Sequence, residues 1–382
     1  MNNIFFKLKG INYVVSYQDK KTIFYKSINN MIVQLSNEEK MMLEHILSNN
    51  YNYIYNSEFL NSLIEQNNSI ENKKYVGNFL TWLEQLIPEQ SRENFYRNIK
   101  NLKTTLNIDI DLSKYSSDIL HNYSTCGGYN TRENTLVISP ESLSELKNIS
   151  QKTERPDEFY WREYSQTLLH ELAHMASSKF DSITETSLCG FDTFPSKTEE
   201  DKNRGLTEGF TEIIAMAGVP NTIEISSGYY IEALLINQLI QTIGNEVFVE
   251  AYFSNLGTSP IQKKLEQLID DKSKSYELFR NIELNYQIRH FNEEQNVLGN
   301  IQLTILDYFE KKLEILLQCG NLENIKEALQ IYEQMLVTPD KVVIMKKNPN
   351  NYIGLNESIA RFESIKQKYN DVLKNNDDSY HR

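Results

Sequence analysis

The sequence predicts an α+β fold, and three features of the chain indicate this class. Apolar and polar residues are mixed at about 5–8, 13–17, 22–25 and 31–35 in a pattern typical of short strands between polar turns. Residues 135–138 (TLVI) form a further strand signal in the middle of the chain. Beyond about residue 260, apolar residues recur at helical spacing, which predicts a wholly helical C-terminal region.

These signals divide the chain into three predicted domains. Residues 1–104 form a small α+β module, residues 105–258 contain the central strand and a long helix, and residues 259–382 form a helical domain. Residues 180–200 have few periodic apolar positions and are expected to form a loop. One predicted helix opens at Ser36 and keeps helical apolar spacing up to Leu47. The others cover about 57–66, 74–87, 91–103, 157–178, 206–216, 227–243, 261–269, 276–291, 298–317, 322–335 and 358–373.

Composition and charge indicate a globular protein that is not a general nucleic-acid binder. The 382 residues are 40% hydrophobic and 24% charged, with 23 Tyr and 17 Phe, whereas disordered chains are poor in aromatic residues. The net charge is −13, and an acidic surface repels nucleic acid backbones and anionic lipids. The acidic balance does not by itself indicate a class of substrate, and the oligomeric state stays open.

Cysteine usage and the lack of long apolar segments predict a cytoplasmic protein. Cys126, Cys189 and Cys319 lie far apart, which does not indicate a disulfide framework. No apolar run reaches the ~18 residues that span a bilayer. The first twenty residues also lack a basic segment followed by a long apolar core, so no signal peptide is expected. Export by a leaderless route is compatible with the same pattern.

The segment TLLHELAHMAS at 167–177 contains the main chemical motif of the chain. His170 and His174 are four residues apart, so on a helix both imidazoles face the same side and can bind one Zn²⁺ at about 2.0–2.1 Å. Glu171 projects about 100° around the helix and is expected beside a metal-activated water, where a general base is needed. The alternative is a surface helix with two solvated histidines, which the surrounding apolar residues disfavour.

A catalytic zinc usually has three protein ligands, and a later helix is expected to provide the third. In GLTEGFTEIIA at 205–215, Glu208 and Glu212 are again four residues apart. Glu208 is the predicted metal ligand, and Glu212 is expected to accept the free N–H of a ligand histidine. The alternatives are an ordinary acid near a helix N-terminus for Glu208 and a surface acid for Glu212.

HELAH followed by LTEGFTE resembles the gluzincin type of zinc metallopeptidase, in which a glutamate on a later helix completes the metal site. TEGF is similar to the segment with the ligand glutamate in aminopeptidase-type members, and Glu212 is similar to the supporting acid of thermolysin-like members. The resemblance covers about 125–215 and implies a zincin-like catalytic domain within 105–258, with Zn²⁺ as cofactor. The 33 residues between His174 and Glu208 exceed the common gluzincin gap, which an inserted loop at 178–204 would explain. No HxxGxxH segment follows the motif, so the metzincin type is not indicated.

Catalysis of this kind also requires a hydrogen-bond donor for the developing negative oxygen. Tyr229 or Tyr230 is the first choice, because tyrosine often has this role in similar enzymes. Arg204, Tyr160 and His290 are alternatives. For either tyrosine the other interpretation is packing in the core or at its rim, since the chain is rich in Tyr.

The resemblance also implies how a substrate would bind. Residues 135–139 would be the edge strand of a sheet, and their free N–H and C=O groups would pair with an extended peptide.

Three functions are compatible with these residues. The first is hydrolysis of peptide bonds by a metal-activated water, with Glu171 as general base. The second is a zinc-dependent protease effector or regulator that cleaves one specific protein, selected by the flanking domains. The third is a non-enzymatic helical interaction protein with a structural or vestigial zinc site. Peptidase activity is the preferred prediction, because the sequence offers no fourth metal ligand at useful spacing.

Overall fold

The structure is a computed structural model, and it describes residues 2–8, 11–18, 21–28, 31–37, 71–110, 127–138, 166–194, 203–217, 229–291, 297–344 and 354–380. The predicted helix at 57–66 lies outside these ranges, as do residues 38–47 of the helix predicted from Ser36 and the first part of the helix predicted at 157–178. Tyr160 also lies outside them, and for His290 only the backbone is described.

The larger of two sheets contains strands from the N-terminus and from the centre of the chain. Its order is β4-β3-β2-β1-β5-β7-β6. The β1–β5 and β5–β7 pairs are parallel, and the other pairs are antiparallel. The strands are β1 Asn2–Leu8, β2 Ile11–Gln18, β3 Lys21–Ile28, β4 Met31–Gln34, β5 Lys103–Ile110, β6 Gly127–Asn130 and β7 Thr135–Ile138.

A second, three-stranded sheet follows the motif helix in the chain. Its strands are β8 Lys179–Asp181, β9 Thr186–Cys189 and β10 Asp192–Phe194, in the order β10-β9-β8. Gly190 connects β9 to β10 with a φ of 60°. A Cβ atom at this position would lie 2.5 Å from the Tyr252 ring, so both the backbone and the packing require glycine.

Twelve α-helices and one short 3₁₀ helix, Glu89–Ser91, occur within the described ranges. The α-helices are α1 Glu71–Leu86, α2 Arg92–Lys100, α3 Gln166–Ser177, α4 Arg204–Ala217, α5 Tyr230–Ile243, α6 Asn245–Phe253, α7 Ser259–Leu268, α8 Lys272–Phe291, α9 Val297–Gln318, α10 Leu322–Met335, α11 Pro339–Ile344 and α12 Leu355–Tyr380. None of them is long and apolar enough to cross a membrane.

The chain forms two compact units. The first comprises Met1–Leu86, Ser91–Phe180 and Ala215–Thr222, and it contains the larger sheet with α1, α2 and α3. The second comprises Ile87–Gln90, Asp181–Ile214 and Ile223–Arg382, and it is mostly helical. The division of the sequence into domains at 104/105 and 258/259 stays a prediction.

Helix α9 is central to the second unit, where it packs against α5, α8, α10 and α12. Buried amide side chains fix how these helices meet. Gln302 donates to the Ser358 hydroxyl at 2.7 Å, and its carbonyl oxygen accepts a bond from Gln238 at 2.9 Å and one from the Val337 amide at 2.7 Å. These bonds satisfy polar groups that would otherwise be costly to bury, and they specify one register for the helices.

Sheets and helices in the described ranges agree with the α+β class in its coarse form. The four N-terminal strands and the five predicted C-terminal helices are confirmed, with ends shifted by a few residues. The helix predicted at 91–103 is confirmed as Arg92–Lys100, and β5, a strand that was not predicted, follows it. The expectation of a loop at 180–200 is wrong, because this segment contains the short strands of the second sheet.

Candidate metal centre

The HELAH motif lies on α3, a helix with apolar residues on nearly every side. Leu168, Leu169, Leu172, Ala173, Met175 and Ala176 are buried, in accordance with the apolar neighbours seen in the sequence. The polar motif residues are buried with them. His170 is 5% exposed, Glu171 8% and His174 8%, so the interpretation as a solvated surface pair is wrong. Polar groups buried this deeply require polar partners or a ligand.

The two imidazoles converge. The Nε2 atoms of His170 and His174 lie 3.1 Å apart, with ring centroids 4.7 Å apart and ring planes at 75°. Two nitrogen ligands at 2.0–2.1 Å from a tetrahedral zinc would be about 3.3 Å from each other. The observed separation is close to this value, so both nitrogens can bind one ion with little rearrangement.

Glu208, on the first turns of α4, is the third residue of the cluster. One ligand atom from each of His170, His174 and Glu208 lies within 4.8 Å of the other two. Within the described ranges, no other three His, Cys, Asp or Glu side chains form such a group. Two imidazoles and one carboxylate make up a donor set that catalytic zinc uses, whereas a structural zinc site has four protein ligands. Glu171 is not part of the group.

Strand β6 lies against Glu171. A Cβ atom on Gly127 would be 2.7 Å from Thr167 Cγ2, 3.2 Å from Glu171 Cγ and 3.4 Å from Glu171 Oε1. Glycine is therefore needed for this close approach of strand and helix. A Cβ atom on Gly128, the next residue, would meet nothing within 4 Å.

The edge strand of the sheet is β6 rather than the predicted segment at 135–139. Within the described residues, β7 lies between β5 and β6, so its pairing groups on both sides are used. The central sequence contains two strands joined by a tight turn, and the second is the more apolar one because it is interior. The strongest apolar pattern therefore marked the interior strand and not its neighbour at the edge.

Asparagine side chains from α2 bind the C-terminal end of α3. Asn98 donates to the Met175 carbonyl at 2.9 Å and to the Ser178 carbonyl at 2.7 Å, and Asn94 donates to the Ser178 carbonyl at 2.5 Å. The Ser178 hydroxyl donates to the His174 carbonyl at 2.7 Å. These bonds satisfy carbonyl groups that have no donor within the helix at its C-terminal end, and they fix the last turn of α3, on which His174 lies.

Asn98 also connects α3 to the turn between β6 and β7. The Asn98 carbonyl accepts a bond from Asn134 Nδ2 at 2.8 Å, and Asn134 Oδ1 accepts one from the Tyr129 hydroxyl at 2.6 Å. Asn134 has a φ of 49°, which asparagine tolerates better than most residues. The motif helix α3 and the edge strand β6 are thus held by one chain of hydrogen bonds.

Close helix contacts position α4 in the second unit. A Cβ atom on Gly209 would lie 2.8 Å from the Glu232 carbonyl carbon, so glycine permits α5 to approach the residue next to Glu208. The Gly205 amide donates to Glu283 Oε2 at 3.0 Å, which satisfies an open N–H at the start of α4. Glu212 is 2% exposed, so its interpretation as a surface acid is wrong, while its role beside a ligand histidine stays a prediction.

The predicted donors Tyr229 and Tyr230 lie at the start of α5. The Tyr229 ring stacks on the ring of Tyr286 with centroids 6.4 Å apart. Burial raises the pKa of Tyr230 above its ordinary value. Arg204 is 3.8 Å from a carboxylate oxygen of Asp192, which ties this alternative donor to the second sheet. Whether either tyrosine acts in catalysis stays a prediction.

Three residues at or near this site were not singled out from the sequence: Gly127, Asn98 and Tyr286. Gly127 had a weak signal, because consecutive glycines before a strand indicate close backbone approach. Asn98 and Tyr286 lie on ordinary amphipathic helices and had none. A comparison of the chain with protein-family models, curated proteins and solved structures finds no match, so its function has to be inferred from the geometry of the site.

Proposed function

We propose that this chain is a zinc-dependent metallopeptidase that hydrolyses peptide bonds, with Glu171 as general base and His170, His174 and Glu208 as metal ligands. The convergence of the two imidazole Nε2 atoms, 3.1 Å apart on a buried helix, carries the proposal. A buried carboxylate directly follows the first of these histidines, where hydrolysis requires a base.

The donor set suits zinc and a catalytic role. Imidazole nitrogen and carboxylate oxygen are both ligands that Zn²⁺ accepts, and three protein ligands leave one coordination position for water or substrate. A bound zinc would polarise the scissile carbonyl and lower the pKa of a water molecule to about 7.

Glu171 has two tasks in this proposal. It accepts a proton from the attacking water as the new C–O bond forms, and it passes that proton to the leaving nitrogen as the C–N bond breaks. Its small exposed fraction keeps the carboxylate out of bulk water, and the close contact with β6 limits the positions that it can adopt. Proton transfer depends on such positioning within hydrogen-bond reach of the reacting groups.

Strand β6 is the proposed binding edge for the substrate. In the described part of the sheet, β7 is its one neighbour, so the N–H and C=O groups of alternate β6 residues point away from the sheet. An extended peptide could add there as a further strand, which gives affinity through the main chain irrespective of sequence. Because Gly127 lies next to Glu171, a peptide on this edge would pass close to the base.

Two finer parts of the proposal concern fold and location. A sheet whose edge strand lies against the motif helix supports a zincin-like catalytic domain within residues 105–258. A free thiol at Cys319 suits a reducing compartment such as the cytoplasm.

The test is cleavage of a proteome-derived peptide library by the zinc-loaded protein, with new termini identified by mass spectrometry. We expect the wild type to cut and Glu171→Gln to lose about 10²–10⁴-fold in rate while it keeps its zinc, since the change removes the base and no ligand. Equal rates for both proteins would contradict the assignment of the base. Cleavage of a single protein in a cell lysate, with no cleavage of library peptides, would select the specific effector instead.

A further inference from the structure

Tyr286 lies beside the metal ligand Glu208, within the second unit. A Cβ atom on Gly205 would be 2.9 Å from the Ile282 carbonyl oxygen and 3.0 Å from Tyr286 Cβ, so α8 crosses α4 at the first turn of α4. Glu208 follows Gly205 by three residues and therefore projects from the same face of that helix. The crossing brings the Tyr286 side chain to the Glu208 side of α4.

The Tyr286 hydroxyl lies in a buried, acidic environment next to Glu208. Burial, followed by the negative charge of Glu208, raises the pKa of Tyr286 to about 12, and Glu232 and Glu283 act in the same direction. Arg204 opposes this shift but does not outweigh it. A phenol keeps its proton at neutral pH, because its ordinary pKa is about 10, and the effect of Glu208 shows that the two groups stand close enough to interact electrostatically.

The Tyr286 ring is held in place while the residue stays within reach of solvent. The Tyr229 ring stacks on it with planes at 24°, and the crossing at Gly205 fixes its Cβ. Tyr286 is half-buried rather than part of the core. A ring held in a fixed position is what preorganised stabilisation of charge requires.

We infer that the Tyr286 hydroxyl, rather than that of Tyr229 or Tyr230, donates a hydrogen bond to the carbonyl oxygen of the scissile peptide as that oxygen becomes negative. This inference rests on the proposed function, because Glu208 marks the position of the metal and hence of the reacting carbonyl. Tyr286 keeps its proton throughout, so no bond to the phenol oxygen forms or breaks. The function of Tyr229 is to support the ring.

The experiment compares Tyr286→Phe with Tyr229→Phe, since each change removes one hydroxyl and leaves the stacked rings intact. The probe is inorganic phosphate, a tetrahedral anion, titrated into protein loaded with Co²⁺ and followed by the visible spectrum of the cobalt. We expect phosphate to bind at least about 10-fold more weakly to Tyr286→Phe, because a lost hydrogen bond to a charged group changes affinity by about that factor or more. Phosphate affinity in Tyr229→Phe should match the wild type.

Two further measurements separate this inference from the proposed function. Both variants should retain one zinc per chain, and on the best-cut library peptide Tyr286→Phe should lose about 10²–10³-fold in kcat with little change in KM. Unchanged phosphate affinity, or loss of zinc from Tyr286→Phe, would overturn the assignment of Tyr286 and leave the peptidase proposal intact. A wild type that binds neither zinc nor cobalt would overturn both.

Discussion

Replacement of Gly127 by alanine tests the link between the edge strand and the base. The new Cβ atom would be 2.7 Å from Thr167 Cγ2, whereas carbon atoms in contact are normally about 3.5–4.0 Å apart. Strand and helix would have to separate by about 1 Å, unless Thr167 rotates about χ1, which helical threonine can do. Rotation does not relieve the second contact, 3.2 Å to Glu171 Cγ, so Glu171 is displaced in either case.

A displacement of about 1 Å at a catalytic group costs on the order of 10²-fold in rate. We therefore expect Gly127→Ala to lower kcat on the best-cut library peptide by about 10–100-fold, with zinc content unchanged. Gly128→Ala is the matched control, because its Cβ atom meets nothing within 4 Å and its kcat should stay within about twofold of the wild type. Adding Thr167→Ser to Gly127→Ala removes the nearest methyl group and should restore part of the activity. Equal rates for the two alanine variants would refute the argued contact between β6 and Glu171.

Three further predictions concern the metal, the helix end and the charged surface of the second unit. Glu208→Gln should weaken zinc binding by more than about 100-fold, because losing a residue that only hydrogen-bonds a metal ligand already costs about 10–100-fold in affinity. Titration with zinc in the presence of a competing chelator measures the affinity. Asn98→Ala should destabilise the protein by about 1–3 kcal/mol in chemical denaturation, because the Met175 and Ser178 carbonyls each lose one hydrogen bond, and Asn94→Ala, which removes one such bond, should cost less. Burial would raise the pKa of Glu310, but the cations Lys368 and Arg361 outweigh it and lower that pKa from 4.5. The ionised carboxylate therefore stabilises the fold above about pH 4.5, and this stabilisation is lost as the pH falls through the lowered pKa. Glu310→Gln should therefore lower the free energy of unfolding by under about 1 kcal/mol at pH 7 and leave it unchanged at a pH below the lowered pKa of Glu310. Urea denaturation at several pH values measures this difference.

The spacing of the motif was enough to predict the local geometry of the histidines. On any helix, side chains four residues apart face the same side, so His170 and His174 converge wherever α3 is placed in the fold. The apolar neighbours of the motif in the sequence likewise predicted its burial. The segment GLTEGFTE pointed to Glu208 through chemical pattern alone, without any information on distance.

The surroundings of the motif depend on contacts between distant parts of the chain. Gly127 meets Glu171 across more than forty residues, and Tyr286 meets the Glu208 face because two helices cross at Gly205. Such pairings are set by tertiary packing and leave no periodic signal in either segment. In β5, Leu106, Ile108 and Ile110 do alternate, which could have revealed the strand, but the preceding helical pattern continued up to it.

X-ray absorption spectroscopy at the zinc edge of the zinc-loaded protein tests the proposed metal site most directly. We predict one zinc per chain with two imidazole nitrogens and the remaining light ligands at about 2.0–2.2 Å, and the loss of one imidazole in His174→Ala. A first shell that contains sulfur, or one that His174→Ala leaves unchanged, would contradict this prediction.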